Sequence, residues 1–126
     1  MKFLKHTGFL EPYTIVVQHI VPLHKLSKIK AYRVQLQNTI RVDGLCTHLG
    51  NGKYNIALRL WDHNEISTRQ IRTDIAYVLD SYAHELAHLS RWEHTPKHMI
   101  LQARIMKKFG QVARDLGIKD TYKPWR

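Results

Sequence analysis

The chain has 126 residues and a mass of 14.9 kDa, enough for one domain with a modest core (residues 1–126) and too little for two. Hydrophobic residues make up 44% and charged residues 24%, the balance of a globular chain, and no apolar run approaches the roughly 18 residues of a membrane span. The single cysteine, Cys46, excludes an intramolecular disulfide framework, and Lys5 and His6 break the N-terminal stretch before a signal-like core develops. The expected location is therefore intracellular, cytoplasmic or nucleoid-associated.

Twenty Lys and Arg against ten Asp and Glu give a net charge of +10. Residues 1–33 hold six basic and one acidic side chain, residues 34–96 six and seven, and residues 97–126 eight and two. Cationic ends flank a neutral middle. A polyanion such as nucleic acid is the partner this charge suits, because each neutralised phosphate releases counterions. The same excess also serves simply to keep a basic protein soluble. No helix-turn-helix, ribonucleoprotein or Cys2His2 pattern accompanies it.

In chain order, the first half reads as β. Tyr13–Val21 carries Ile15, Val17 and Val21 at alternate positions, and Val34–Val42 carries Val34, Leu36, Ile40 and Val42. Tyr54–Trp61 sets Ile56, Leu58 and Leu60 against Asn55, Ala57 and Arg59. Period 2 with β-branched residues predicts half-buried strands, and Asp43-Gly44 and Asn51-Gly52 are turn dipeptides that punctuate a meander. Leu23–Arg33 is ambiguous, since Leu23, Leu26 and Ile29 also suit a helix face.

The second half predicts two helices. Ser67 is an N-cap with Gln70 completing a capping box, and Ile66 and Ile71 stand at the staple positions. At 100° per residue, Ile71, Ile75, Val78, Leu79, Tyr82, Ala83, Leu86, Ala87 and Leu89 share one arc, while Thr73, Tyr77, Ser81, His84 and His88 face the other way. The last helix starts at Thr95-Pro96, a cap followed by proline, and ends near Gly117. Its Arg104, Lys107, Lys108 and Arg114 lie within an arc of about 120°. The fold class expected is α+β: a small antiparallel β-meander packed against a site-bearing helix and a C-terminal helix.

The chemistry concentrates at residues 84–98. His84-Glu85-Leu86-Ala87-His88 is H-E-x-x-H, and five further residues lead to His94. With this chain's own His and Glu content the five-residue pattern arises in about 2% of shuffled sequences. On a helix, His84 and His88 project one turn apart, which suits two imidazole nitrogens on one Zn2+. Glu85 beside them can take a proton from a water that the metal activates. A catalytic zinc takes three side chains and a water. His94, continued on the same helix, would point about 240° away from His88, so the chain must turn first. Thr95-Pro96 supplies the turn, because proline disfavours helical geometry at the residue before it. His94 is the third ligand this favours, with His98 and Glu93 as alternatives. Asp80, one turn before His84, is a candidate to orient it. Tyr77 and Ser81 share the same arc as candidate substrate contacts. His48 and His63 read as surface histidines, Cys46 as a packed thiol and Trp92 as a core anchor.

Read through the corner, His84-Glu-Leu-Ala-His-Leu-Ser-Arg-Trp-Glu-His94-Thr-Pro resembles the zinc-peptidase group that includes SprT-like, WLM-type and YgjP-like proteins. The pattern departs from that group at His98-Met99, where an aromatic residue is expected. The resemblance implies a zincin-like fold, hydrolysis of peptide bonds in protein substrates, His84, His88 and His94 as zinc ligands, and Glu85 as general base. It also implies that the strand beside the cleft, placed here at Tyr54–Trp61 with Tyr54, Ile56 and Leu58, pairs with an extended substrate. Members of the SprT-like branch cut proteins on DNA, in keeping with the basic termini.

Overall fold

The computed structural model describes residues 1–4, 6–32, 44–60 and 75–117. The expected strand Val34–Val42, the helix start at Ile66–Ile71 and His63 lie outside them. The elements in chain order are β1 (Lys2–Phe3), α1 (Glu11–Val16), β2 (Leu26–Tyr32), β3 (Gly44–His48), β4 (Tyr54–Arg59), α2 (Ile75–Ala87) and α3 (Pro96–Asp115). The chain is therefore α+β, as its patterning predicts.

The sheet is not a meander. Its order is β1-β2-β4-β3, with β1 and β4 both parallel to β2, and only β3 antiparallel to β4. The β3–β4 hairpin turns through Leu49–Lys53, where Gly50 and Gly52 adopt φ of 91° and 75°. Asn51-Gly52 thus marks a turn as expected; of the other turn dipeptide, Gly44 begins β3 and Asp43 lies outside the described residues. Both faces of β4 are covered: Ala57 and Arg59 are buried along with Ile56, Leu58 and Leu60.

Tyr13–Val21 does not form a strand. Glu11–Val16 is helical, with Pro12 in the first turn, where its missing N–H costs nothing. The residues actually buried are Leu10, Tyr13, Thr14, Val17 and Val21. Those spacings of three and four form a helical stripe. Ile15, which suggested alternation, is exposed. Thr14 stays in the helix by donating its hydroxyl to the carbonyl of Leu10 at 2.7 Å, while Tyr82 donates its own hydroxyl to Thr14 Oγ1 at 2.6 Å.

The ambiguous Leu23–Arg33 stretch resolves into β2. Its helix-like spacing of Leu26 and Ile29 comes from an irregularity in the ladder: Leu26 pairs with Tyr54 and Lys28 with Asn55, which leaves Ser27 over. One extra residue turns a spacing of two into three on the same face.

The helical half follows its periodicity. Val78, Leu79, Tyr82, Ala83, Leu86, Ala87 and Leu89 are buried. Helix α2 packs against β3, β4 and α3, and α1 against α3. At their junction Phe109 of α3 stacks on Tyr82, with ring centroids 5.8 Å apart, and meets Tyr13 edge-on at 5.5 Å. Thr95 is extended (φ −105°, ψ 169°), Pro96 begins α3, and Gly117 lies just past its end with φ 67°. No helix among the described residues is long and apolar enough to cross a membrane.

Candidate metal centre

His84 and Glu85 sit in the last turns of α2, and His88 directly follows its end at Ala87. The amide of Arg91 still bonds to the carbonyl of Ala87 at 2.9 Å, after which the chain leaves the helix axis. The extended Thr95 ahead of Pro96 completes the reversal and returns His94 to the face it would otherwise have left.

The three Nε2 atoms then converge. His84 and His88 are 3.3 Å apart, His84 and His94 3.1 Å, and His88 and His94 3.1 Å. Three donors at about 2.0–2.1 Å from a tetrahedral ion would be about 3.3–3.4 Å apart, so the triangle has the size of one face of such a site. Hydrogen bonding alone does not account for it. Each Nε2 is either a donor or an acceptor, and a closed triangle of three cannot satisfy all its edges.

The opposite ring nitrogens show which atoms carry protons. His88 Nδ1 donates to the carbonyl of Arg91 at 3.2 Å, and His84 Nδ1 to Gln102 Oε1 at 2.9 Å. With Nδ1 protonated, each Nε2 presents its lone pair to the centre, the form a metal requires. Burial, followed by the neighbouring ring of His98, lowers the pKa of His88 to about 4, which keeps it neutral.

Glu85 stands beside the triangle, with Oε1 3.9 Å from His84 Nε2. It is only 6% exposed, and desolvation raises its pKa to about 7, suited to a carboxylate that takes and returns a proton. Space for it is provided by Gly44. A Cβ there would come within 3.1 Å of Glu85 Cγ and 3.3 Å of Leu58 Cδ2. His84, Glu85, His88 and His94 open on one cavity of about 310 Å³, which Gly44, Leu45, Cys46 and Trp92 complete.

His98 is not part of the triangle. It is buried behind it, with its Nε2 donating to the carbonyl of His84 at 3.0 Å and its ring centroid 4.3 Å from that of His88. Glu93 is exposed and outside the cluster. Asp80 reaches His84 only through Gln102, whose Nε2 donates to Asp80 Oδ1 at 3.0 Å.

Two other assignments change. Trp92 is no core anchor: it is 51% exposed at the cavity, braced by Tyr54 and His88 at 5.7 and 5.5 Å. Tyr54, Ile56 and Leu58 cannot pair with a substrate, since β2 and β3 occupy both edges of β4 and Ile56 and Leu58 are fully buried. The strand that lines the cavity is β3.

Cys46 is a packed thiol, as expected, its pKa raised to about 12 by burial and then by the Glu85 charge. His48 is an exposed surface histidine, edge-on to Tyr54 at 4.8 Å. Ser81 is half-buried and does not line the cavity, and the side chain of Tyr77 lies outside the described residues.

Sequence reasoning missed Gln102 and Gly44. A signal for Gln102 existed: it stands one turn after His98 on α3, which puts both on the same side of that helix. Gly44 had none beyond its turn propensity.

No family model matches the chain, and no match is found among curated proteins or solved structures. The three histidines can bind a metal ion on the strength of their own geometry.

Proposed function

We propose that the chain is a zinc-dependent metallopeptidase of zincin-like type. The observation that carries this reading is the triangle of Nε2 atoms, 3.1–3.3 Å on a side, with a buried carboxylate directly after its first histidine. Imidazole-only ligands within reach of tetrahedral geometry favour zinc over the hard cations, which prefer oxygen.

When bound, zinc would supply the positive charge that polarises a peptide carbonyl and makes a water acidic near neutral pH. Glu85 would take the proton of that water as its oxygen attacks the carbonyl carbon. The same carboxyl group would then deliver the proton to the amide nitrogen, the C–N bond would break, and the products would leave as an acid and an amine. Strand β3 is one of the two edge strands of the sheet among the described residues, and the one that lines the cavity, so it takes over from β4 the role of pairing with an extended substrate.

The reading is tested by metal analysis of the purified chain together with a casein cleavage assay. Stoichiometric zinc with cleavage that a chelator abolishes supports it. Zinc without cleavage of any protein or peptide would overturn it.

Clearance at Gly44 provides a more local check. Gly44→Ala is expected to lower turnover by about tenfold through displacement of Glu85, with zinc affinity unchanged. Titration of zinc alongside turnover separates the two. Because the same Cβ would also press on buried Leu58, the melting temperature is measured beside turnover, and a loss of turnover in a variant that stays folded is the one attributed to Glu85.

A second reading, nucleic-acid association, is favoured by a separate groove. Arg91, Lys97 and Arg104 line it with Ile20, Ser90, Ile100 and Leu101, and no acidic side chain takes part. Phosphates bound there would release counterions, with log K falling by about 0.9 per contact for each tenfold rise in salt. The triple variant R91A/K97A/R104A is expected to flatten that slope by about 2–3, measured with a fluorescent duplex. An unchanged slope would remove this groove from the interface.

A further inference from the structure

We infer that Asp80 and Gln102 are positioning residues for the metal centre, forming a carboxylate–amide relay that fixes the proton of His84 on Nδ1 and aims its Nε2 at the ion. This inference rests on the reading of the three histidines as a metal site.

The argument starts from donors and acceptors. An ionised carboxylate only accepts, so Asp80 Oδ1 requires the amide nitrogen of Gln102 to face it, at 3.0 Å. The orientation of the amide is then settled, and its oxygen faces His84 Nδ1 at 2.9 Å. An amide oxygen only accepts as well, so His84 must carry its proton on Nδ1. Two hydrogen bonds in series thereby convert the charge of Asp80 into a choice of tautomer at His84. The negative end of the relay also makes the imidazole a stronger base toward a cation.

The two ligands of the H-E-x-x-H segment are held differently. His88 is fixed by a main-chain carbonyl, that of Arg91, which no substitution removes. His84 is the ligand held by side chains, and they come from two helices. Asp80 stands one turn ahead of it on α2. Gln102 and His98, one turn apart on α3, hold it at two points: Gln102 at the ring, His98 through its bond to the His84 carbonyl at 3.0 Å. Placing a neutral amide between carboxylate and imidazole uses the acid's direction while keeping its charge one side chain farther from the ion. Asp80 is exposed and Gln102 half-buried, so neither has a core role that its replacement would disturb.

The test uses the full chain and zinc itself. Zinc affinity is measured by chelator competition, and the His84 tautomer in metal-free protein by the 15N shifts of its ring nitrogens. Gln102→Leu is expected to weaken zinc binding about 10- to 100-fold and to release His84 into a mixture of tautomers. Asp80→Asn is expected to act in the same direction and less strongly, because the amide of Gln102 is then free to turn over. The double variant D80N/Q102E puts a carboxylate directly on Nδ1 and is expected to restore both affinity and tautomer. A merely structural role would not be rescued by exchanging the two chemistries. An unchanged tautomer and affinity in Gln102→Leu would overturn the relay, as would failure of the double variant to restore either. Should the wild-type chain bind no zinc, the metal reading fails by itself. The tautomer of the metal-free protein still decides the relay.

Discussion

Replacing His94 with alanine is expected to weaken zinc binding by about 100- to 1,000-fold. Zinc sites with four protein ligands bind with about 10–16 kcal/mol, or roughly 3 kcal/mol per ligand, and each factor of ten is about 1.4 kcal/mol. His94 is the natural residue to remove because it is exposed, belongs to no helix and has no place in the core. Its loss opens the triangle of Nε2 atoms without disturbing the packing of α2. Chelator competition on the wild-type and variant chains reads the effect directly. An unchanged affinity would move the third position to another side chain, and His98 would then have to surrender its bond to the His84 carbonyl to supply it.

Glu85→Gln separates chemistry from binding. Glutamine has the same shape and fits the space beneath Gly44, but it cannot accept the proton. Peptide hydrolysis is expected to fall by about 10²- to 10⁴-fold, the range for removal of a general base, while zinc affinity changes no more than a few-fold. Turnover and metal content measured on one preparation decide it. Retained turnover in the variant would assign the proton to another group. Cys46 also lines the cavity, but burial, the larger cause of its raised thiol pKa, persists in the variant after the Glu85 charge is gone and holds its proton in place near neutral pH.

The sequence announced the helical half and left the sheet obscure. In α2 and α3, signals within four residues decide the outcome: the 3.6-residue stripe, Thr95-Pro96 at the start and Gly117 at the end. Those same signals placed the corner that returns His94 to His84 and His88. The sheet depends on partners far apart in the chain. Ser27, left over between two pairs, disguised β2 as a helix face. In α1 the apolar residues are β-branched and partly alternate, and only their burial reveals the helical stripe. That β4 runs beside β2 in parallel, with β3 outside it, cannot be deduced from either strand alone. The error about substrate pairing followed from this: β4 has the stronger strand pattern because it is interior, and for that reason has no edge to offer. Gln102 and Gly44 were missed on the same grounds, since their value lies in what another element brings against them.

The turn that carries His94 has a consequence for the whole molecule. It joins α2 to α3, and an ion held by His84 and His88 at the end of α2 and by His94 within the turn would pin that turn back onto α2. Folding and metal supply would then be one linked equilibrium: at free ion a thousandfold above its dissociation constant, the native state gains about 4 kcal/mol over an unfolded chain that binds none. A chain this small would owe much of its resistance to heat to the contents of its surroundings, and stripping the ion would loosen the turn that carries His94 before it disturbed the packed helices or the sheet.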